Sequence, residues 1–134
     1  MDSTNILVEF AIIGENFEIE MITGKLEISA SNFYKKGDVF GKKQLKRKET
    51  CWSISTGYEE SLDINDQLEK IINLIKPKTN ILINLMEQYE LGCKFIIVIR
   101  IENNQSPAVY LNREVIEFAN EIKAEFDFDM YIYS

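Results

Sequence analysis

The chain has 134 residues, 46% of them hydrophobic, which is enough to bury one core, and we predict a single domain over residues 1–134. It has 22 acidic and 15 basic residues, a net charge of −7, and no histidine. Without histidine, histidine-dependent catalytic triads and the commonest zinc sites are excluded.

Hydrophobic periodicity first predicts a strand over residues 5–13, a helix over 19–26, a basic excursion at about 35–50 and a strand over 51–55. Two helices follow, one over 64–75 and one that begins at 79 and is closed by Gly92. The last predicted elements are a strand over 94–101, a short strand over 108–111, a helix after the Asn112 cap and a terminal strand over 126–133. The first strand is apolar on both faces, which is typical of a central strand. The excursion lacks periodicity and is expected to be a long hairpin or a mobile loop. Pro77 is expected to end the first of the two paired helices.

The terminal strand alternates strictly between apolar and polar residues. Successive strand side chains point to opposite faces, so this pattern predicts a sheet with one apolar and one wet face. Together with the interleaved helices, it predicts an α+β fold. The sheet is expected to be antiparallel or mixed, with helices packed on one face, and a ferredoxin-like α/β sandwich is the first choice.

No membrane segment or secretory signal is expected. The residues before the first strand include no basic region, and Glu9 interrupts the apolar run that follows them. The longest other apolar run, residues 95–99, is far shorter than the ~20 residues that span a bilayer. We therefore expect a cytoplasmic protein.

Cys51 and Cys93 are predicted to be free, buried thiols, because two distant cysteines form neither a disulfide framework nor a zinc ligand set. Trp52 shares a strand face with Ile54 and is assigned to the core. Ser53 lacks a histidine to activate it, so it is not expected to be a nucleophile. No cofactor is predicted.

Charge is unevenly distributed along the chain. Residues 35–48 contain seven basic residues and one acid, a net charge of +6, which leaves −13 on the rest of the chain. Such an acidic body favours a basic protein partner and disfavours nucleic acid and anionic membranes. The alternative interpretation of this charge is plain solubility.

Several features together resemble the domain of unknown function 4279 family, a group of small, mainly bacterial α+β proteins without an assigned activity. The matching features are the early strand ending in Gly14, the helix start from Phe17 to Ile22, the Lys36-Gly37-Asp38 turn, Trp52 followed by small polar residues, and the closing block from Pro107 to Tyr133. The resemblance covers most of the chain. It implies a stand-alone protein, with an immunity-type role beside a toxin gene.

An acidic surface formed by the last helix and strand is the candidate protein interface. Its residues are Glu114, Glu117, Glu121, Glu125, Asp127 and Asp129. The three helical glutamates recur at i, i+3 and i+7, which places them in one stripe opposite the apolar face. We predict a non-enzymatic protein-binding domain that could cover a basic toxin with this surface.

Two alternatives remain open. Asp127 and Asp129, with Tyr131 and Tyr133, could form a small-ligand, cation or enzymatic site on the open sheet face. Nucleic acid could contact the basic loop, whose candidate residues are Lys42, Lys43, Lys46, Arg47 and Lys48. That contact is not favoured, because the run itself has no aromatic residues on which bases could stack. The oligomeric state is not predicted.

Overall fold

The computed structural model describes residues 3–133. Its strands are β1 (Asn5–Gly14), β2 (Asn32–Tyr34), β3 (Val39–Phe40), β4 (Leu45–Lys46), β5 (Thr50–Ser55), β6 (Glu59–Glu60), β7 (Gly92–Ile101) and β8 (Glu125–Ile132). Its α-helices are α1 (Ile19–Leu26), α2 (Ile64–Ile75), α3 (Thr79–Tyr89) and α4 (Arg113–Glu121), and a 3₁₀ turn at Lys76–Lys78 joins α2 to α3.

The main sheet has the strand order β2-β5-β1-β7-β8, and β6 adds a short pairing to β1. Strand β1 is antiparallel to both β5 and β7, so Phe10 lies opposite Ile54 on one side and Phe95 on the other. The prediction of a central first strand is confirmed. Both edges of β1 are therefore paired over most of its length.

Strands β7 and β8 are parallel neighbours connected through α4. The sheet is therefore mixed, and the predicted α+β class is confirmed. The ferredoxin-like detail needs correction, because that arrangement is a split βαβ motif and the parallel strands here lie directly side by side.

The core lies between the sheet and the helices. Alternate side chains of β1 and β7 point into it, and Phe10 and Phe95 are fully buried with ring centroids 5.2 Å apart. Trp52 is also fully buried, and its indole Nε1 donates a hydrogen bond to Thr23 Oγ1 at 2.9 Å. Its predicted place in the core is confirmed, and the hydrogen bond satisfies the polar edge of the ring.

The paired helices begin as predicted, but the second one ends differently. Asp63 caps α2 by accepting a hydrogen bond from the Asn65 amide at 2.9 Å. Helix α3 ends at Tyr89. The next residue, Glu90, has a φ of 55° in the left-handed region, so it takes the capping position that was predicted for Gly92.

Glu27, the residue that follows α1, has the same left-handed geometry, with a φ of 58°. Gly92 instead begins β7, so its predicted role as the helix cap is wrong. A left-handed residue other than glycine costs ~1–2 kcal/mol, and the hydrogen bond from the Leu91 amide to the Met86 carbonyl at 2.9 Å offsets part of that cost.

The predicted strand over residues 108–111 is reduced to a single bridge, in which Ala108 pairs with Asp63. Ala108 donates to the Leu62 carbonyl at 2.7 Å, and its own carbonyl accepts from the Ile64 amide at 3.3 Å. These bonds tie the segment to the start of α2 and not to the sheet. The pairing is limited to this one bridge because the chain after Asp63 continues as helix α2.

The predicted cap of the last helix is confirmed. Asn112 Oδ1 accepts a hydrogen bond from the Val115 amide at 2.9 Å, and Val115 and Phe118 are buried. The helix leads into β8, which has the predicted alternation. Its apolar side is nevertheless mostly uncovered, since only Phe126 packs inward, stacking on Phe95 with ring centroids 5.3 Å apart.

The basic excursion is a hairpin formed by β3 and β4, so of the two predicted alternatives the hairpin is confirmed. The Gly37 amide donates to the Arg47 carbonyl at 2.8 Å, and the Arg47 amide donates to the Asp38 carbonyl at 2.7 Å. The Asp38 side chain also accepts from the Lys35 amide at 2.8 Å. These bonds close the base of the hairpin.

Candidate functional site

The six carboxylates of the predicted interface do not share one face. Those on α4 lie in the helix layer, whereas those on β8 point to the sheet face that lies away from the helices. The strand register shows this division, because Asp127 lies opposite Ile96 while the buried Phe95 lies opposite Phe126. The expectation of one continuous helix-strand surface is therefore corrected to two separate acidic surfaces.

The first surface is the α4 stripe, which we define as Glu114, Glu117 and Glu121. All three side chains are exposed, and none of them forms an ion pair with any residue of the range 3–133. The opposite side of the helix is anchored in the core through Val115 and Phe118. The stripe is therefore a fixed array of negative charge on a rigid helix.

The second surface consists of Glu125, Asp127 and Asp129 on β8. Asp127 Oδ2 lies 3.1 Å from Lys94 Nζ on the neighbouring strand, so part of its charge is already compensated. Exposed ion pairs of this kind contribute only ~0–1 kcal/mol. One of the three carboxylates of this surface is therefore ion-paired, in contrast to those of the α4 stripe.

A cation site at Asp127 and Asp129 lacks the ligands that it would need. Calcium takes 6–8 oxygen ligands and magnesium about six. Across residues 3–133, no group of three or more histidine, cysteine, aspartate or glutamate side chains is placed to hold a metal ion. Lys94, beside Asp127, would also repel a cation.

A concave site does exist on the open sheet face, but it is centred elsewhere. A cavity of about 180 Å³ is lined by residues of β1, β2, β5 and β7, including Glu9, Ser53 and Lys94. Ser53 Oγ donates a hydrogen bond to Glu9 Oε2 at 3.0 Å. The predicted residues Asp127, Asp129, Tyr131 and Tyr133 are not among its lining residues. The sequence signal that could have indicated this cavity is Glu9, the one charged residue in the largely apolar strand β1.

Both cysteines are free and buried, as predicted. Burial raises the pKa of the Cys51 thiol to about 11 and that of the Cys93 thiol to about 12. Because the thiolate is the reactive form, neither sulfur is a ready nucleophile near neutral pH. Cys51 lines the open-face cavity, so its neutral thiol contributes packing surface there.

The basic hairpin is held against the body of the protein by Arg47. The guanidinium carbon lies 4.0 Å from the centroid of the Tyr34 ring and 3.9 Å from that of the Phe40 ring, so the side chain is sandwiched between two aromatic faces. The other candidate contacts of this loop, Lys42, Lys43, Lys46 and Lys48, are exposed. The two rings were not predicted as contacts of this loop, because they lie before the basic run.

The stacking of Arg47 on Tyr34 and Phe40 argues against the alternative in which this loop binds nucleic acid. Single-stranded nucleic acids bind through bases that stack on accessible aromatic faces. Here one face of Tyr34 and one of Phe40 are already covered by Arg47, a residue of the same loop. The exposed lysines could attract phosphates, but these two covered faces offer no platform for a base.

The fold and its surfaces define a class: an α+β domain with helices on one face of a mixed sheet, a partly open second face and an exposed acidic helix. Comparison with protein families places it further. The chain belongs to the family described as Domain of unknown function (DUF4279), which it matches over residues 3–133. This confirms the resemblance found in the sequence.

The other two comparisons found no match, either among curated proteins or among solved structures. Within the part of the chain that the structure describes, no helix is long and apolar enough to cross a membrane.

Proposed function

We propose that this protein is a non-enzymatic binding domain for a basic protein partner and that the partner docks on the α4 stripe. The observation that carries the proposal is the stripe itself, three exposed carboxylates without ion-pair partners in the described range, on a helix anchored in the core. Rigid charges of one sign accelerate encounters with an oppositely charged partner and select against others.

The wider charge distribution supports this proposal. Outside residues 35–48, the chain carries a net charge of −13. The strongest opposing charge on the chain, the basic hairpin, is a separate element whose one half-buried cation, Arg47, is engaged with two aromatic rings. A basic partner that approaches α4 therefore meets predominantly negative potential.

The specific form of the proposal is an immunity-type role in the bacterial cytoplasm, in which this chain covers and neutralises a basic toxin. The family match supplies no activity for this form, so it depends on the charge distribution and on partner identification. Neutralisation requires only that the complex block the surface on which the toxin acts. No reactive group of this chain is needed for that.

The test is co-expression with the product of the adjacent gene, followed by purification of the complex and calorimetric titration at two salt concentrations. Neutralising the stripe (Glu114→Gln, Glu117→Gln, Glu121→Gln) is expected to weaken binding by about tenfold or more and to flatten its salt dependence. The matched control neutralises three exposed carboxylates, Glu18 just before α1, Glu20 in α1 and Glu87 in α3 (Glu18→Gln, Glu20→Gln, Glu87→Gln), which removes the same net charge.

If both triple variants bind the partner equally well, the α4 docking site is refuted. If the adjacent gene product does not bind at all, and no basic protein co-purifies from the native cell, the proposed function itself is refuted. A third variant with the β8 carboxylates neutralised (Glu125→Gln, Asp127→Asn, Asp129→Asn) reports whether the open face takes part in binding.

The second candidate function is binding of a small polar molecule in the open-face cavity. The observation that favours it is the half-buried Glu9 carboxylate, hydrogen-bonded to Ser53, in a concave site that Lys94 also lines. The volume of about 180 Å³ is below the ~300–1,000 Å³ of pockets for drug-sized ligands, so the ligand would be small. The test is NMR titration of the wild type and of Glu9→Gln with a library of small metabolites. A metabolite that binds in the cavity should shift the wild-type signals and shift those of Glu9→Gln less. If no metabolite changes the wild-type spectrum, this candidate is excluded.

A further inference from the structure

Strand β8 leaves one edge of the main sheet open. It is the last strand in the sheet order, and within residues 3–133 no other strand pairs with its outer side. Its side chains are also uncovered on the helix side of the sheet, where Phe128, Met130 and Ile132 are 43%, 50% and 73% exposed. The unpaired backbone groups of a long edge strand with apolar side chains favour pairing with another strand, and proteins usually protect such edges.

The direction of the backbone groups on this edge follows from one hydrogen bond. The Tyr133 amide donates to the Ile101 carbonyl of β7 at 2.9 Å, so the backbone of Tyr133 points inward. Backbone direction alternates along a strand, so the odd-numbered residues of β8 point their N–H and C=O groups toward β7. The even-numbered residues, including Phe128 and Met130, therefore present theirs outward.

We propose that a second copy of this chain pairs with β8 in an antiparallel arrangement, with Met130 on the two-fold axis. Outward-pointing residues must lie opposite outward-pointing residues for the ladder to form, which requires the axis to pass through a residue and not between two. This condition leaves a small number of registers, and charge distinguishes between them.

An axis at Asp129 would place that carboxylate directly opposite its own copy, and an axis at Phe128 would place Asp127 opposite Asp129 of the second copy. Like charges directly opposite each other destabilise a strand pair. An axis at Met130 avoids both. It places Asp129 opposite Tyr131 of the second copy and Asp127 opposite Tyr133 of the second copy, where each phenol can donate to a carboxylate.

The same register covers the exposed apolar side chains. On the helix side, Phe128 lies opposite Ile132 of the second copy, and Met130 lies opposite its own copy. Three hydrogen-bonded residue pairs, each exchanging two backbone bonds, would close the edge with about six hydrogen bonds. Moving the axis further toward the end of the strand shortens the overlap and leaves Phe128 without a partner on a described residue.

Cysteine cross-linking tests the register directly. In a hydrogen-bonded antiparallel pair the Cα atoms lie ~5.5 Å apart, within the range that a disulfide can bridge. Met130→Cys is therefore expected to form a covalent dimer under mild oxidation. The control is Phe128→Cys, whose two copies would lie four residues apart, or ~13 Å, too far for a disulfide. Cys51 and Cys93 are buried and do not compete.

The oligomeric state tests the pairing itself. The wild type is expected to have a solution mass of about twice 15.6 kDa at high concentration, measured by sedimentation or light scattering. Met130→Lys places two ammonium groups opposite each other and should raise the dissociation constant by about tenfold or more. The control Leu74→Lys changes a residue of α2 that is 54% exposed, similar to Met130, and should leave the dimer intact.

A wild-type mass of 15.6 kDa at every concentration would overturn the proposal. Equal cross-linking of Met130→Cys and Phe128→Cys would overturn the register. Both results are independent of the α4 stripe, because the variant that neutralises it (Glu114→Gln, Glu117→Gln, Glu121→Gln) leaves the residues around Met130 unchanged.

Discussion

The sandwich of Arg47 between Tyr34 and Phe40 predicts how the basic hairpin is held in place. Cation–π contacts contribute ~0.5–1 kcal/mol each at exposed sites and more when desolvated. Arg47 is half-buried and lies about 4 Å from both ring centroids, so Arg47→Ala should cost the closed hairpin about 1–2 kcal/mol. A loss of that size raises the population of the open hairpin ~5–30-fold.

Native-state hydrogen exchange measures this population through single amides. The Gly37 amide is bonded to the carbonyl of residue 47, so its exchange should accelerate by the same ~5–30-fold in Arg47→Ala. The Lys36 amide donates to Thr50 Oγ1 at 3.1 Å, outside the sandwich, and should change little. The control Lys48→Ala removes the same charge from an exposed neighbour, and equal acceleration of Gly37 in the two variants would refute the role of stacking.

Two further predictions concern the stability of the whole domain. Asn112→Ala removes the cap of α4 and should lower the free energy of unfolding by ~1 kcal/mol in urea denaturation, whereas Asn120→Ala, at an exposed position of the same helix, should change it less. The raised pKa values of Cys51 and Cys93, about 11 and 12, mean that the unfolded chain releases its thiol protons first. Stability should therefore fall as pH rises from about 9 toward 11, and a Cys51→Ala, Cys93→Ala variant should show a shallower fall in the same pH titration.

Periodicity predicted most of the secondary structure because the elements bury one face against a common core. Helix α4 shows why this worked: an asparagine cap precedes an apolar stripe at helical spacing, and both signals are local. The central position of β1 in the sheet could also be predicted from the sequence, since both faces of the strand are largely apolar. The end of α3 was not, because Glu90 takes a left-handed geometry that its residue type does not favour.

The candidate surfaces were harder to predict because they depend on which strands become neighbours. Arg47 directly follows β4, whereas Phe40 lies in β3 and Tyr34 in β2, and no local sequence pattern marks their contact. The cavity around Glu9 likewise gathers side chains from four strands. In both cases the contacts depend on which strands are neighbours in the fold, and this order is not evident from the sequence of any one segment.

The division of the acidic residues has a consequence for the function. A chain-wide charge of −13 outside the hairpin suggested one large negative surface, but β8 turns Asp127 and Asp129 away from the layer that holds Glu114 and Glu117. A partner that contacts only one face of the sheet can engage only one of these sets closely, and screening limits the influence of the other beyond ~8–10 Å. The α4 triple variant and the β8 triple variant should therefore affect binding unequally. Similar losses in both would indicate a partner that wraps around the β8 edge, the same edge on which we place the second copy.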